Sequence, residues 1–265
     1  MLNKHNNKVC FVTFYYPGAK KYLKRFSKCV TFQSYKKFDV ILICNKIDIN
    51  TSVIKINQNI KKFLIKGDVN NVRLKTILLL KNLQYENIIF HDIDDYCTPN
   101  RVEKLVSLLK SNNVVFNDIH CVKKKIVKKN FFSLFFKNKE KINYKKILNQ
   151  NFLGFTNTAI KKEVLKSIKL PNYIPKKIIF DWYLWSRVLF NNKAIFTNEC
   201  VSYYNVSIKS ITNLPVKMNN NYTKEVIKIK KIFYSYMKKY NIIYHKKLFM
   251  SNVNLSLSWW GLDGN

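Results

Sequence analysis

Acidic residues are scarce in this chain: 15 Asp and Glu stand against 48 Lys and Arg in 265 residues, a formal net charge of +33. Such an excess invites a nucleic-acid reading, because neutralising phosphates drives non-specific binding. Arginine is nearly absent too, and that argues against the reading. Only Arg25, Arg73, Arg101 and Arg187 are present, whereas base readout and bidentate phosphate clamps favour arginine. The lysines come with abundant Asn, Ile, Phe and Tyr, all AT-rich codons, so a biased genome accounts for much of the excess. A surface this basic is still drawn to anionic lipid headgroups and acidic polymers.

Paired cysteine motifs, long apolar runs and internal repeats are also lacking. Cys10, Cys29, Cys44, Cys97, Cys121 and Cys200 form no CxxC pair and no zinc spacing. Cys10 and Cys44 lie in apolar runs, where a thiol acts as a small hydrophobe. That fits reduced, buried cysteines of a cytoplasmic protein rather than a disulfide frame. No window approaches the roughly 20 apolar residues of a membrane span. The N-terminal VCFVTFYYPG reads as a first strand and turn, not a signal peptide. The expectation is a soluble protein, or one held at the inner face of a membrane. Hydrophobic residues at 47% and aromatics at 15% exclude disorder, and the length suits one substantial core.

What is present alternates between strand-like and helix-like segments. Val9–Tyr16 is a buried strand ended by the Pro17-Gly18 turn, and Tyr22, Leu23, Phe26 and Val30 follow at helical spacing. Phe38–Cys44, apolar save for Asp39, reads as a central parallel strand. Thr51–Ile56 reads as a short strand, Asn71–Leu83 as a helix, Asn87–Asp92 as a strand, Pro99–Lys110 as a helix and Asn113–Asp118 as a strand. From Val122 to Tyr144 the chain turns rich in Lys and Phe, an excursion read as part hairpin and part mobile loop. Phe152–Leu165 is a strand entering a helix, Ile178–Phe190 a helix, and AIF and VSYY are short strands. Tyr222–Tyr240 carries an apolar stripe on a basic amphipathic helix. Such a helix packs on the domain or lies at a membrane surface. The pattern predicts an α/β fold, a mostly parallel sheet flanked by helices on both faces, with a C-terminal amphipathic helix.

The stretch IIFHDIDDY, Ile88–Tyr96, sets three carboxylates within four positions of so acid-poor a chain. Like charges that close repel unless a positive group sits among them. Side chains of a strand flip with period two, so Asp92 and Asp94 converge at the carboxyl end of a parallel strand, where open α/β sheets bind ligands. A hard divalent cation, Mg²⁺ or Mn²⁺, resolves their repulsion and leaves positions for substrate phosphates. Asp95 reads as a turn cap or a further ligand. His91 alternates to the other side and reads as a packed histidine. Asp181, in FDWYLWSR, is the sole acid between Glu163 and Glu199. It shares a helix face with Trp185. Two arrangements suit that spacing: a carboxylate and indole that grip a sugar, or a helix-capping aspartate with core tryptophans.

In order and content, VTFYYPG, FDVILICN, IIFHDIDDY…PNRVEKL, VVFND, FLGFTNTAIKKEVL, FDWYLWSRVLF and YYNVSIKSIT resemble the family 2 glycosyltransferases of the GT-A fold, over about Lys8 to Thr212. The resemblance implies a GT-A-like domain at residues 1–215 and a helical extension at 216–265. It implies that Asp92 and Asp94 engage the metal and the diphosphate of a nucleotide-diphosphate sugar, and that Asp181 is the general base on an acceptor hydroxyl in an inverting transfer. Asn45 then stands near the nucleoside. Gly154, Thr156, Trp182, Trp185 and Arg187 stand beside the donor sugar and acceptor, a glycan or lipid-linked saccharide of polysaccharide biosynthesis. The chain departs from the pattern where an acid often closes the second strand (Asn45), where an acid precedes the catalytic Asp (Phe180) and where Arg often follows Tyr204 (Asn205). Two rival readings remain. A haloacid-dehalogenase-type phosphatase would use Asp92 and Asp94 as nucleophile and acid, but wants Thr or Val soon after the second Asp, nearer the N-terminus. A non-catalytic basic protein would bind nucleic acid or anionic lipid by charge alone.

Overall fold

The computed structural model describes residues 8–206, except 124, 150 and 177, together with 235–236. In chain order its elements are β1 (Val9–Tyr15), α1 (Leu23–Thr31), β2 (Phe38–Cys44), β3 (Ile60–Leu64), α2 (Val69–Asn82), β4 (Asn87–Phe90), β5 (Tyr96–Cys97) and α3 (Arg101–Leu109). They continue with β6 (Val114–Val122), β7 (Ile126–Lys128), β8 (Lys141–Ile142), α4 (Tyr144–Asn149), β9 (Thr158–Lys161), α5 (Lys162–Ser167), α6 (Phe180–Phe190) and β10 (Ala194–Asn205).

One sheet runs in the order β3-β2-β1-β4-β9-β6-β10-β5, with β7 beside β6 and β8 beside β10. β1 is parallel to β2 and β4, β2 to β3, and β6 to β10. β9 runs antiparallel to both β4 and β6, so those two point the same way. The carboxyl ends of β1 to β4, β6 and β10 therefore gather along one edge.

Alternation along β1 divides the interior into two cores. Cys10, Val12 and Phe14 face a core built from α2, α5 and α6, whereas Val9, Phe11 and Tyr15 face one built from α1 and α3. A strand buried on both faces favours apolar residues, which is why β1 and β2 are apolar save for Thr13 and for Asp39, whose carboxylate accepts from the Tyr85 hydroxyl at 2.7 Å. Each large apolar side chain so buried contributes roughly 1.5–3 kcal/mol. All six cysteines are free and buried, as expected. Cys29 and Cys97 bring their sulfurs to 3.2 Å, well beyond a disulfide bond. Among the described residues no helix is long and apolar enough to cross a membrane.

The structure corrects the expected elements in three places. Thr51–Val53 is a 3₁₀ turn rather than a strand, because the Asn50 carboxamide accepts from Ser52 N at 3.0 Å and turns the chain. The strand comes later, at β3, a sheet edge whose lysines leave only a thin apolar signal. The segments AIF and VSYY belong to one long strand, β10, with a register shift between Thr197 and Val201. After the expected hairpin of β6 and β7, the 122–144 excursion is ordered instead of loop-like: Phe131, Phe132 and Ile142 are buried and β8 returns to pair with β10. The expected Tyr222–Tyr240 helix and the boundary at 215 lie outside the described residues, save Ser235 and Tyr236. Tyr236 sets its ring 5.3 Å from that of Tyr183 and donates to Tyr173 O at 3.3 Å.

Candidate active site

β4 ends at Phe90 and the chain turns: His91 N donates to Val12 O at 2.9 Å, and Asp95 N closes back on Asp92 O at 3.1 Å. Through the turn the period-two alternation persists. His91, Ile93 and Asp95 are buried, whereas Asp92 and Asp94 reach partly into solvent at the sheet's carboxyl edge. His91 packs against Phe11 and Phe26, with ring centroids 5.0 and 6.4 Å away. Burial, helped by Arg101, holds its pKa well below the ordinary value, so it is a neutral core histidine.

The positive group among the carboxylates is Arg73, from α2. Its Nη1 donates to Asp181 Oδ1 at 2.6 Å and its Nη2 lies 3.7 Å from Asp92 Oδ1. The guanidinium also lies over the Phe155 ring at 4.8 Å and the Phe14 ring at 5.8 Å, so it is braced from below. Burial works to lower the Arg73 pKa, and Asp181, Asp92 and Asp94 more than reverse it. α2 itself starts where the Asp68 carboxylate caps Asn71 N at 3.2 Å. Asp92 and Asp181, 24% and 18% exposed, are thus joined across 89 residues of chain by one arginine.

Each carboxylate sits differently. Asp181 lies in the first turn of α6, where the helix dipole favours negative charge. Burial nevertheless pushes its pKa up to about 6; Arg73 pulls it back and Asp92 adds to the rise. Asp94 is also pushed up to about 6, by burial and then by the charge of Asp92, against a hydrogen bond from Tyr16. Arg25 donates to the Asp94 carbonyl oxygen and lies over the Tyr96 ring at 5.2 Å. Asp95 is not a turn cap. It accepts from Asn205 N at 2.7 Å, and its other oxygen contacts the Thr156 hydroxyl, which donates to Asp92 Oδ2 at 3.0 Å. A hydroxyl has one proton to give. Asp92 and Asp95 therefore share the one Thr156 proton, and burial, then Asp94 and Asp92, drive the Asp95 pKa well above the carboxylate range.

Gly154 and Thr156 stand in the turn before β9, where Gly154 N donates to Asn157 Oδ1 at 2.8 Å. Asn45 follows β2; its amide donates to Tyr15 O at 2.8 Å, and its buried side-chain oxygen has no partner among the described residues. That is an acceptor held ready for a ligand's donor. Trp182 and Trp185 are fully buried and offer no face to a sugar: the Trp182 indole donates to Ile147 O at 2.6 Å, and the Trp185 ring packs on Phe90 and Phe155. The core arrangement of the tryptophans is the one realised. Arg187 reaches Lys169 O at 3.3 Å, in the segment after α5.

Among the described residues no cluster of three or more His, Cys, Asp and Glu is arranged to cage a metal. Asp92 and Asp94 are both part-buried, and burial, then the charge of Asp92, raises the Asp94 pKa; two such carboxylates suit an ion that completes its shell with phosphate oxygens and water.

No protein-family model matches the sequence, and no curated protein sequence matches it. Solved structures do. S. aureus TarS aligns with TM-score 0.57 and 15% identity, covering 87% of this chain and 43% of that one. S. aureus TarS 1-349 in complex with UDP-GlcNAc aligns with TM-score 0.58 and 14% identity, over 76% and 59%. The mannosyltransferase PcManGT from Pyrobaculum calidifontis, in complex with GDP-Man and Mn2+, aligns with TM-score 0.60 and 13% identity, over 93% and 68%. The chain thus spans 43% to 68% of the length of these solved chains, and the likeness is one of fold. By sheet order, helix placement and these superpositions, the chain has a GT-A-like fold.

Proposed function

We propose that the protein transfers a sugar, with inversion, from a nucleotide-diphosphate sugar to a hydroxyl of a glycan or lipid-linked saccharide. The observation that carries this reading is the meeting of Asp92, Asp94 and Asp181 around Arg73 at the sheet's carboxyl edge. The nucleotide sugars bound by the structures of the same fold, UDP-GlcNAc and GDP-Man, support it. Asn45 accepts from the nucleoside with its unpartnered oxygen. Asp92 and Asp94 would hold Mg²⁺ or Mn²⁺, which when bound supplies positive charge to the diphosphate as it leaves. Gly154 and Thr156 line the floor between the carboxylates and the donor sugar. Asp181, ionised above about pH 6, takes the proton of the acceptor hydroxyl. The freed oxygen bonds to the anomeric carbon on the face opposite the carbon–oxygen bond that breaks, and the electron pair leaves with the diphosphate. Arg73 keeps the Asp181 oxygen aimed and charged. Residues 1–215 form the catalytic domain and 216–265 an extension, in a cytoplasmic enzyme of polysaccharide biosynthesis working at the inner face of a membrane.

A panel of nucleotide sugars with and without Mn²⁺, read by thermal shift and then by transfer, tests this reading. One donor is expected to stabilise the protein only with the ion. Asp181→Asn is expected to keep that shift and lose transfer by about 10²–10⁴-fold. Transfer at the wild-type rate in Asp181→Asn would remove the base; transfer indifferent to EDTA would remove the metal.

A further inference from the structure

Lysine is concentrated where the chain leaves β6. Residues 123–146 hold ten of the 44 lysines and a single acid, Glu140, so this short stretch is more than twice as lysine-rich as the chain. Within it an apolar point is held outward. The buried carboxylate of Asp118 accepts from Ile119 N at 2.8 Å, from Phe132 N at 2.7 Å and from the Ser133 hydroxyl at 2.5 Å. These bonds pin the 3₁₀ turn Phe132–Leu134 with Phe131 and Phe132 inside and Leu134 and Phe135 outside, 63% and 53% exposed. Ile126 on β7 is exposed as well, and Lys125, Lys129 and Lys137 are exposed around it. A loop with no use for exposed apolar groups would turn them inward; this one is bonded so that it does not.

We propose that this hairpin and turn dock the protein on an anionic lipid bilayer, Leu134 and Phe135 entering the headgroup–acyl boundary while the lysines take the lipid phosphates. Charge complementarity and an apolar tip together favour a bilayer over a polyanion, which needs only the charge. β6 and β4 run in the same direction, so the hairpin leaves the sheet at the edge that carries Asp92 and Asp181. The docked face would set that edge toward the membrane, where a lipid-linked acceptor lies; the inference rests on the transferase reading for this last point.

Co-sedimentation of the full chain with vesicles tests it. Wild type is expected to pellet with phosphatidylcholine vesicles containing phosphatidylglycerol and to stay in solution with phosphatidylcholine alone. Leu134→Ser with Phe135→Ser is expected to weaken vesicle binding roughly tenfold or more. Each of Lys125→Gln, Lys129→Gln and Lys137→Gln is expected to weaken it roughly fivefold. Retention of the double serine variant on heparin, and its thermal stability, should match wild type. Vesicle binding unchanged in the serine variant, absent in wild type, or lost in parallel with heparin retention would overturn the docking site. Donor-dependent thermal shift is independent of vesicles, so loss of docking with that shift intact leaves the transferase reading standing, and the converse result leaves the docking site standing.

Discussion

Arg73 is the residue on which the charge balance of the site turns. Asp92 and Asp181 share one guanidinium, and Asp181 keeps a pKa of about 6 because burial outweighs that attraction. Removing the cation leaves burial unopposed, so the Asp181 pKa rises further. In Arg73→Met the acid limb of kcat/KM against pH is expected to move up from about 6 by roughly one unit or more. Activity then falls far more at pH 6 than at pH 8. Arg73→Lys should shift the limb less, since a point charge still faces the carboxylates without the planar fork. An acid limb unmoved in Arg73→Met would show that Asp181 is not the titrating base. The helix around Arg73 was legible in the sequence, but its role was not, because no motif surrounds it. The signal lay in scarcity. Three of the four arginines converge on the end of β4: Arg25 at the Asp94 carbonyl, Arg73 at Asp92, and Arg101 at the Phe90 carbonyl, 3.0 Å away.

At the scale of elements, a buried chain of polar groups ties α3 and the last strand to that turn. Arg101, fully buried at the start of α3, donates from Nε to Asn117 Oδ1 at 2.8 Å; Asn117 Nδ2 donates to Ser202 Oγ at 3.0 Å; Ser202 Oγ donates to Thr156 O at 2.9 Å. Thr156 then holds Asp92 and Asp95. Asn117→Leu matches the volume closely but leaves Arg101 and Ser202 buried without these bonds. A loss of about 3 kcal/mol is expected, which for a domain of this size lowers Tm by roughly 6–12 °C. Donor affinity should fall as well, because Thr156 loses its anchor; a melting curve unchanged by the substitution would show the chain of bonds to be idle. None of this network was legible in the sequence, since Asn117, Ser202 and Thr156 meet only through pairings of β6, β9 and β10. Strands buried on both faces were legible because their environment leaves a largely apolar run, broken only at Thr13 in β1 and Asp39 in β2. The edge strand β3 was not, for the opposite reason. At Asp181 the sequence placed the carboxylate on the right helix and left the indoles open between core and ligand; the family resemblance set them beside a sugar, whereas Trp185 packs on Phe90 and Phe155.

Over the whole molecule, charge is arranged in opposition. A chain of formal charge +33 gathers four of its 15 acids, Asp92, Asp94, Asp95 and Asp181, about one edge of the sheet. Under the proposed transfer the surrounding positive field would draw anionic donors inward, and the acids at the centre would have to be neutralised for a diphosphate to settle. On that reading protons and a divalent ion would compete for that task. Asp94 has a folded pKa of about 6 against an ordinary carboxylate value of 3.8, so the proton-bound form is favoured on folding. Its contribution to stability is present below its unfolded pKa and is lost as pH rises through about 6. A bound ion restores what deprotonation takes away. Mn²⁺ with UDP or GDP is therefore expected to raise Tm more at pH 7.5 than at pH 5. Asp94→Asn should flatten that difference and raise the ligand-free Tm at pH 7.5 by about 2–4 °C, for a gain of ~1 kcal/mol after solvent screening. An ion-dependent shift equally large at pH 5, or undiminished in Asp94→Asn, would mean that the ion binds elsewhere and that this carboxylate pair answers only to Arg73 and its neighbours.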